Sequence, residues 1–518
     1  MALFAVLLLA GCASLPPAAR LPKSPSSALD PSVTSRLEER FAPLAAMHPG
    51  ASGFRLLSVG IDGLIARIEL IDTAQHTVDI QSYIFRADES GGLIALALLR
   101  AADRGVRVRI LLDDGETVPG DERILSLAAK SAIQVRIFNP LTYRGHVEAW
   151  RAAEFLFDKA RLDYRMHNKL MVADNAAAII GGRNIGDQYF QIDPSSQFGD
   201  EDVVAAGPIV PRLSAVFDEF WNGDLAVPAP AIDRKHTSEQ AYSRYRAELA
   251  QSPHAPPARR TPLADIMTGA APLIWAPVQL AYDSPDKKVV VDGKARGRLI
   301  YKAVLERAKL VNTELLIVTP YFIPSADELT LLDSDRDRRV RVSVLTNSLP
   351  AAPNLAAQSG YMHYRIGLLQ HGVALYEERA RVAGNAGTGQ PAALSRYGHY
   401  ALHAKLYVFD RRTLFIGSMN YDQRSRHLNT EVGLLIDSPE LARAIAVRFE
   451  ELTQLDNAYA VSLEKLDPEG TAKGKVPHLL WTTREAGGVV RYTTEPARSG
   501  WQRLHVRLLT LLPLDKEL

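Results

Sequence analysis

Apolar runs and polar breaks follow the same order twice along this chain. In the first half, Val78 to Phe85 reads as a strand, Gly92 to Arg104 as a helix, Val106 to Leu112 as a strand and Ile133 to Phe138 as another. The second half answers with strands at Glu314 to Tyr321 and Val340 to Thr346, a helix at Tyr361 to Gln370 and a strand at Val373 to Tyr376. Each series then reaches two short apolar runs, Leu170 to Ala173 with Ala176 to Ile180, and Leu406 to Phe409 with Thr413 to Ile416. Asp174 or Asp410 stands between the two runs of each pair, which reads as a hairpin feeding a glycine turn. Apolar strands alternating with helices favour sheets covered on both faces. The expected fold class is therefore α/β: two similar lobes, each a mixed sheet flanked by helices, meeting at one interface.

Composition places the boundaries. The stretch from Val227 to Leu263 is rich in Pro, Ala and Arg, with Ala255-Pro256-Pro257 interrupting any helix, and is expected to be the linker, with a short helix within it at Tyr242 to Ala250. That gives a first lobe at 53–226 and a second at 264–518, preceded by a tether and N-terminal helix at 13–52. Gly384 to Gly389 is expected to be a plain surface loop. Two runs beside predicted strands, Phe155-Leu156-Phe157 after Trp150 and Tyr321-Phe322-Ile323-Pro324, are expected to pack in the core rather than to line an acyl-chain entrance.

The chemistry lies where the repeat is strictest. His167-Asn168-Lys169 with Asp174, and His403-Ala404-Lys405 with Asp410, both spell HxKxxxxD. Gly182-Arg183-Asn184 ends seventeen residues after the first histidine, and Ser418-Met419-Asn420 ends seventeen after the second. Fixed offsets imply one structural unit used twice. Two histidines, two lysines and two asparagines suit phosphodiester chemistry. One imidazole can attack phosphorus and leave again, while the other serves as acid and then base. Lysine charge and asparagine donors suit the non-bridging oxygens of a five-coordinate phosphorus.

These paired phrases resemble the phospholipase D superfamily, whose members carry two such motifs meeting at one site. The segments RMHNKLMVADNAAAIIGGRNIGDQYF and HAKLYVFDRRTLFIGSMNYDQRSRHLNTEVGLLI resemble the bacterial cardiolipin synthases of the type without transmembrane helices. The resemblance implies that His167 and His403 are the nucleophile and acid, with the N-terminal one as nucleophile. Lys169 and Lys405 would act with them, and Asn184, Asn420 and Ser418 would bind phosphate. Asp174 and Asp410 are read as structural braces, because a carboxylate beside a bound phosphate would repel it. Asp202 and Glu431 are expected to orient the histidines, with Asp200 as the competitor of Asp202. The implied activity is phosphatidyl transfer among glycerophospholipids such as phosphatidylglycerol and phosphatidylethanolamine, with hydrolytic phospholipase D or a nuclease as alternatives.

Composition trims the remaining possibilities. Sixty basic against fifty-nine acidic residues give a formal charge of +1, which lends nucleic-acid binding no support. No His, Cys, Asp or Glu cluster has zinc-like spacing, so no metal or other cofactor is expected. Both motifs in one chain predict a monomer. The single cysteine, Cys12, closes the short apolar run Leu3 to Gly11. The segment 1–12 resembles a lipoprotein signal with Cys12 as the lipidation site, too short to span a bilayer. Ala13 and Ser14 after it lean toward the outer membrane, so the expected place is the bacterial envelope, held to a membrane surface by a lipid anchor.

Overall fold

Strand Thr77–Ser82 is buried at every position, as are Leu170–Ala173, Ala177–Gly181 and Asp202–Ala206, which requires cover on both faces of their sheet. The computed structural model describes residues 23–512 except 117, 119, 144–147, 252–260, 288–289, 292–293, 296–298, 381–398 and 465–477. Cys12 and its leader, Ala255-Pro256-Pro257 and Gly384 to Gly389 therefore lie outside the described residues.

The first sheet has nine strands in the spatial order Ile274–Ala276, Ser52–Leu57, Asp202–Ala206, Ala177–Gly181, Leu170–Ala173, Thr77–Ser82, Arg107–Asp113, Ile133–Phe138, Ala226–Pro228. Thr77–Ser82, Arg107–Asp113 and Ile133–Phe138 run parallel, and the rest are antiparallel to their neighbours. The second sheet repeats this centre. Val432–Asp437, Thr413–Gly417, Leu406–Phe409, Glu314–Val318, Arg341–Asn347 and Ala374–Glu378 lie in that order, the last three parallel. It has ten strands because Ala458–Leu463, Leu479–Glu485 and Gly488–Tyr492 extend one edge and Val278–Tyr282 the other. Two mixed sheets with flanking helices are the α/β architecture that the apolar pattern predicts.

One hydrophobic cluster lies between the lobes and takes side chains from both, among them Phe138, Leu170 and Val203 with Leu316, Leu406 and Leu434. Helices Ile209–Asn222 and Pro439–Leu452 bury Phe217, Phe220, Ile445 and Phe449 in it. Separate clusters cover the outer face of each sheet. The lobes thus share a core, and the site at their junction has rigid walls.

The expected linker is mostly part of the first lobe. Ala226–Pro228 pairs with the sheet edge, and Glu239–Gln251 buries Tyr242, Tyr245 and Leu249 in the first lobe's core. Pro262–Thr268 buries Leu263 and Ile266 there, and Ile274–Ala276 adds an edge strand. The change of lobe falls at Pro277, not at 264. The short helix expected at Tyr242 to Ala250 is present within Glu239–Gln251, and what proline and charge disguised is that its apolar residues, at helical spacing, pack into the first lobe. The N-terminal tether is likewise docked. Lys23 donates to Gly223 O, Arg136 to Ser24 O and Arg109 to Ser26 O, while helix Arg36–Ala46, capped by Ser35, buries Leu37 and Phe41. Among the described residues no helix is long and apolar enough to cross a membrane.

Candidate active site

Both HxK phrases sit just before a strand rather than on it: Leu170–Ala173 and Leu406–Phe409 start one residue past each lysine. Gln81 pairs with Leu170 and Val318 with Leu406, so the two phrases occupy the carboxyl ends of the parallel strands, where open α/β sheets place their ligands. Asp174 and Asp410 are at the opposite ends. Each starts a two-residue turn with both residues at positive φ, Asp174 and Asn175 at 52° and 53°, Asp410 and Arg411 at 52° each. The Asp174 carboxylate accepts the backbone N–H groups of Gln75, His76 and Thr77 at 2.8, 2.8 and 2.9 Å. Asp410 does the same for Asn312, Thr313 and Glu314. Both carboxylates lock the entry to a central strand, far from any phosphate at the HxK end.

The two histidines reach across the lobe boundary. His167 N donates to Thr430 O at 2.9 Å and His403 N to Gly199 O at 2.7 Å, beside a short parallel pairing of His399–Leu402 with Ser196–Gly199. Their rings follow. His167 Nδ1 lies 2.9 and 3.0 Å from the two oxygens of Glu431, and His403 Nδ1 lies 2.5 Å from Asp200 Oδ2. Each lobe thus supplies the carboxylate that holds the other lobe's histidine. A carboxylate only accepts, so each Nδ1 carries the proton and each Nε2, on the far side of its ring, bears the lone pair, which at His403 faces Lys405 Nζ. At 7% and 9% exposed, both histidines are almost wholly buried.

Asp202 does not orient a histidine. It pairs with Arg67 at 2.9 Å and Arg183 at 3.3 Å, wholly buried, and Asp200 takes the expected role. The register explains the correction. Gly181 pairs with Asp202 and Gly417 with Gly433, so Asp200 and Glu431 each stand two residues before the partner of a matched glycine. Counting from the histidines missed this because the loops between differ in length. Gly182 is needed by this carboxylate: a Cβ there would meet Asp200 Oδ1 at 2.1 Å. Ser418 also departs from expectation. Its hydroxyl donates to Glu431 and accepts Val432 N–H, so it braces the carboxylate rather than a phosphate. Ser425 adds a second donor to Glu431 at 2.8 Å, and the buried ion pair of Lys287 with Asp283, at 2.7 Å, lies behind it.

Each lysine contacts the histidine of its own phrase. Lys405 Nζ lies 2.9 Å from His403 Nδ1 and 3.1 Å from Nε2, and Lys169 Nζ donates to His167 O at 2.7 Å. Asn184 accepts from Ile84 N, and the buried Oδ1 of Asn420 has no hydrogen-bond partner among the described residues. Aromatic rings that sequence reasoning did not single out complete the walls: Tyr83 lies edge-on to His167 at 5.0 Å, and Tyr189 and Phe198 flank His403 at 5.1 and 5.3 Å. Nothing in a lone tyrosine after a strand announces such a role. Of the two apolar runs expected in the core, Phe322 and Ile323 are buried, but Trp150, Leu156 and Phe157 on helix Glu148–Phe157 are mostly exposed.

Burial dominates the electrostatics. It lowers the pKa of His167 well below the usual value, helped by Lys169 and Lys405, and brings His403 to about 3. Burial thus favours the neutral form of both imidazoles. Burial also lowers Lys405 to about 8, holds Lys169 well below the usual lysine value, and raises Glu431 to about 7. Asp200 differs from Glu431. Burial pushes it up, but His403, Lys405 and Arg183 outweigh that and hold it below the ordinary carboxylate range. The His403 partner is therefore firmly anionic and suited to stabilise an imidazolium.

Comparison with known proteins agrees with the duplicated geometry. A family model described as cardiolipin synthase, PLD-like domain, matches residues 67–221 and 301–453, one match in each lobe. The chain is 35% identical to cardiolipin synthase C of Escherichia coli K12 over 496 residues, covering 93% of this chain and 99% of that one. It is 29% identical to an uncharacterized protein of Helicobacter pylori strain 26695, over 98% and 97% of the two chains. The crystal structure of a phosphatidylserine synthase from Haemophilus influenzae shares the fold, with a TM-score of 0.54 at 14% identity over 79% of this chain and 87% of that one. With one family match per lobe and near full-length likeness to a cardiolipin synthase, the chain belongs to the cardiolipin synthase family of the phospholipase D superfamily, and is a phosphatidyltransferase-type enzyme of phospholipid metabolism.

Proposed function

We propose that the protein makes cardiolipin by passing a phosphatidyl group, donated by phosphatidylglycerol or phosphatidylethanolamine, to the hydroxyl of a phosphatidylglycerol. His167 Nε2 attacks the donor phosphorus. The bond to the headgroup oxygen breaks, and His403, protonated once the substrate's negative charge enters the site, gives its proton to the departing alcohol. His403 then takes the proton of the acceptor hydroxyl, whose oxygen attacks phosphorus and releases His167. Lys169, Lys405 and the amides of Asn184 and Asn420 stabilise the non-bridging oxygens. A bound phosphodiester also restores full charge to both buried lysines. No step calls for a metal ion.

The crossed pairing of His167 with Glu431 and His403 with Asp200 carries this reading. It supports unequal roles: the histidine beside the firmly anionic Asp200 is the one better held in the protonated form that a general acid needs, which leaves His167 as nucleophile. Lipid mass spectrometry on the purified protein with phosphatidylglycerol and phosphatidylethanolamine in EDTA tests it. Cardiolipin that disappears in His167→Ala and His403→Ala is the expected result. Phosphatidic acid alone would make the protein a hydrolase, and cardiolipin that needs added metal would refute the metal-free route.

The same reading includes a monomer held at a membrane face of the bacterial envelope by acyl chains on Cys12, with the outer membrane as its place. Mass spectrometry of the N-terminal peptide from native membranes checks this: a diacylglyceryl cysteine is expected, and an unmodified Met1 terminus would contradict it.

A further inference from the structure

The C-terminal helix Gly500–Leu509 carries its apolar stripe on the wrong side for a soluble protein. At about 100° per residue, Trp501, Leu504, Leu508, Leu511 and Leu512 fall within one stripe, and they are 79, 46, 55, 79 and 50% exposed. The turn continues past the helix through Leu511 N to Leu508 O and Leu512 N to Leu509 O. The opposite side is the docked one. Val506 is buried there, and Gln502 Nε2 donates to Leu349 O at 2.8 Å. Ser499 caps the start by accepting Gln502 N–H, so the helix is a formed element and not a frayed end.

Its mooring connects it to the site. Leu349 and Pro350, whose carbonyls take the side chains of Gln502 and Arg498, follow strand Arg341–Asn347 at its carboxyl end. The Asn347 amide grips Leu402 on both sides, accepting from its N–H at 2.8 Å and donating to its carbonyl at 2.9 Å. Leu402 is the residue before His403. The stripe therefore hangs from the rim that sets one catalytic histidine.

The charge beside the stripe selects the occupant. From Pro496 to Leu512 there are three arginines, Arg498, Arg503 and Arg507, with His505, and no acidic residue. An isologous contact with a second copy would bring these like charges together. Five side chains on one short helix also fall short of the roughly 800 Å² per partner that stable protein interfaces bury. An anionic bilayer answers both the stripe and the charge.

We propose that this helix is an interfacial foot. It lays Trp501, Leu504, Leu508, Leu511 and Leu512 into the headgroup and acyl boundary of an anionic bilayer, with Arg498 and Arg507 over headgroup phosphates, and so seats the His403 rim at the membrane. The choice of bilayer rests on the phosphatidyltransferase reading, which makes membrane lipids the substrates.

The test uses the full chain bearing Cys12→Ser, so that no acyl anchor contributes, with and without Leu504→Glu/Leu508→Glu. Flotation with vesicles of phosphatidylethanolamine and phosphatidylglycerol should fall about tenfold in the double variant, and cardiolipin made on those vesicles should fall with it. Cardiolipin made in detergent mixed micelles should stay within about twofold, because the foot is outside the chemistry. Quenching of tryptophan emission by brominated lipids, which needs no comparison of stability, should drop in Trp501→Phe. Equal flotation of variant and parent, unchanged quenching, or a vesicle-free dimer that the double variant dissolves would overturn the foot. Lost flotation with no cardiolipin even from the parent in micelles would support the foot and count against the transferase reading alone.

Discussion

Replacing Asp200 with Asn keeps the shape of the His403 partner and removes its charge. The carboxylate is fully buried, 2.5 Å from His403 Nδ1, and close enough to Lys405 and Arg183 to be held ionised. Unit charges about 4 Å apart at an effective dielectric of about 20 interact by about 4 kcal/mol. That energy is present only when His403 is an imidazolium, which in the proposed mechanism is when it acts as acid. At about 1.4 kcal/mol per decade, Asp200→Asn should lower kcat about a thousandfold and leave KM for the donor lipid nearly unchanged. Steady-state cardiolipin synthesis in mixed micelles measures both. Asp202→Asn is the control, since Asp202 touches Arg67 and Arg183 and neither histidine. It should lower the melting temperature, the usual result of leaving a buried cation unpaired, with kcat within about tenfold at a temperature where it is folded. A folded Asp200→Asn that keeps kcat within threefold of about the parent value would refute the assignment, as would a folded Asp202→Asn that is the more damaged of the two.

Other perturbations follow from the same geometry. Gly182→Ala would push a methyl onto Asp200 Oδ1, and should reproduce the Asp200→Asn loss of kcat while circular dichroism stays native. Asp174→Ala strands three backbone N–H groups at a buried turn and should cost about 3 kcal/mol in urea unfolding. Asp410→Ala, at a more open turn, should cost less, and both should retain kcat when folded. Glu378 is buried, neither carboxyl oxygen has a hydrogen-bond partner among the described residues, and burial raises its pKa from 4.5 to about 8. The fold therefore keeps a proton that the unfolded chain loses, and Glu378 costs stability increasingly as pH rises from about 4.5 through 8. Glu378→Gln should raise Tm at pH 8 and leave it unchanged at pH 4.5; an equal shift at both would exclude titration as the cause.

Much of this could be read from the residues because the fold duplicates its unit. The matched HxKxxxxD phrases announced two hairpins, and the alternation of Val78 to Phe85 with Gly92 to Arg104 announced the parallel centre of each sheet. The chain hid what depends on tertiary register. Asp200 and Asp202 are both acidic and two apart, so they point to the same side, and only the strand partner of Gly181 decides which one faces a histidine. Ser418 stands where a phosphate ligand could, but a carboxylate from the neighbouring strand end claims its hydroxyl. Crossing of the lobes was likewise invisible, because the partners of His167 and His403 are fixed by the Thr430 and Gly199 carbonyls rather than by spacing. Tyr242, Tyr245 and Leu249 lie among charged neighbours, which is why the short helix expected there read as part of a linker rather than of the first lobe's core.

Covalent transfer requires one histidine to carry the phosphatidyl group. Enzyme mixed with phosphatidylglycerol labelled at phosphorus, quenched in alkaline denaturant and mapped by peptide, tests it directly. Label is expected on the peptide that bears His167, stable to alkali, released by acid and absent from His167→Ala. Label on the His403 peptide, or cardiolipin synthesis that persists in His167→Ala, would contradict it.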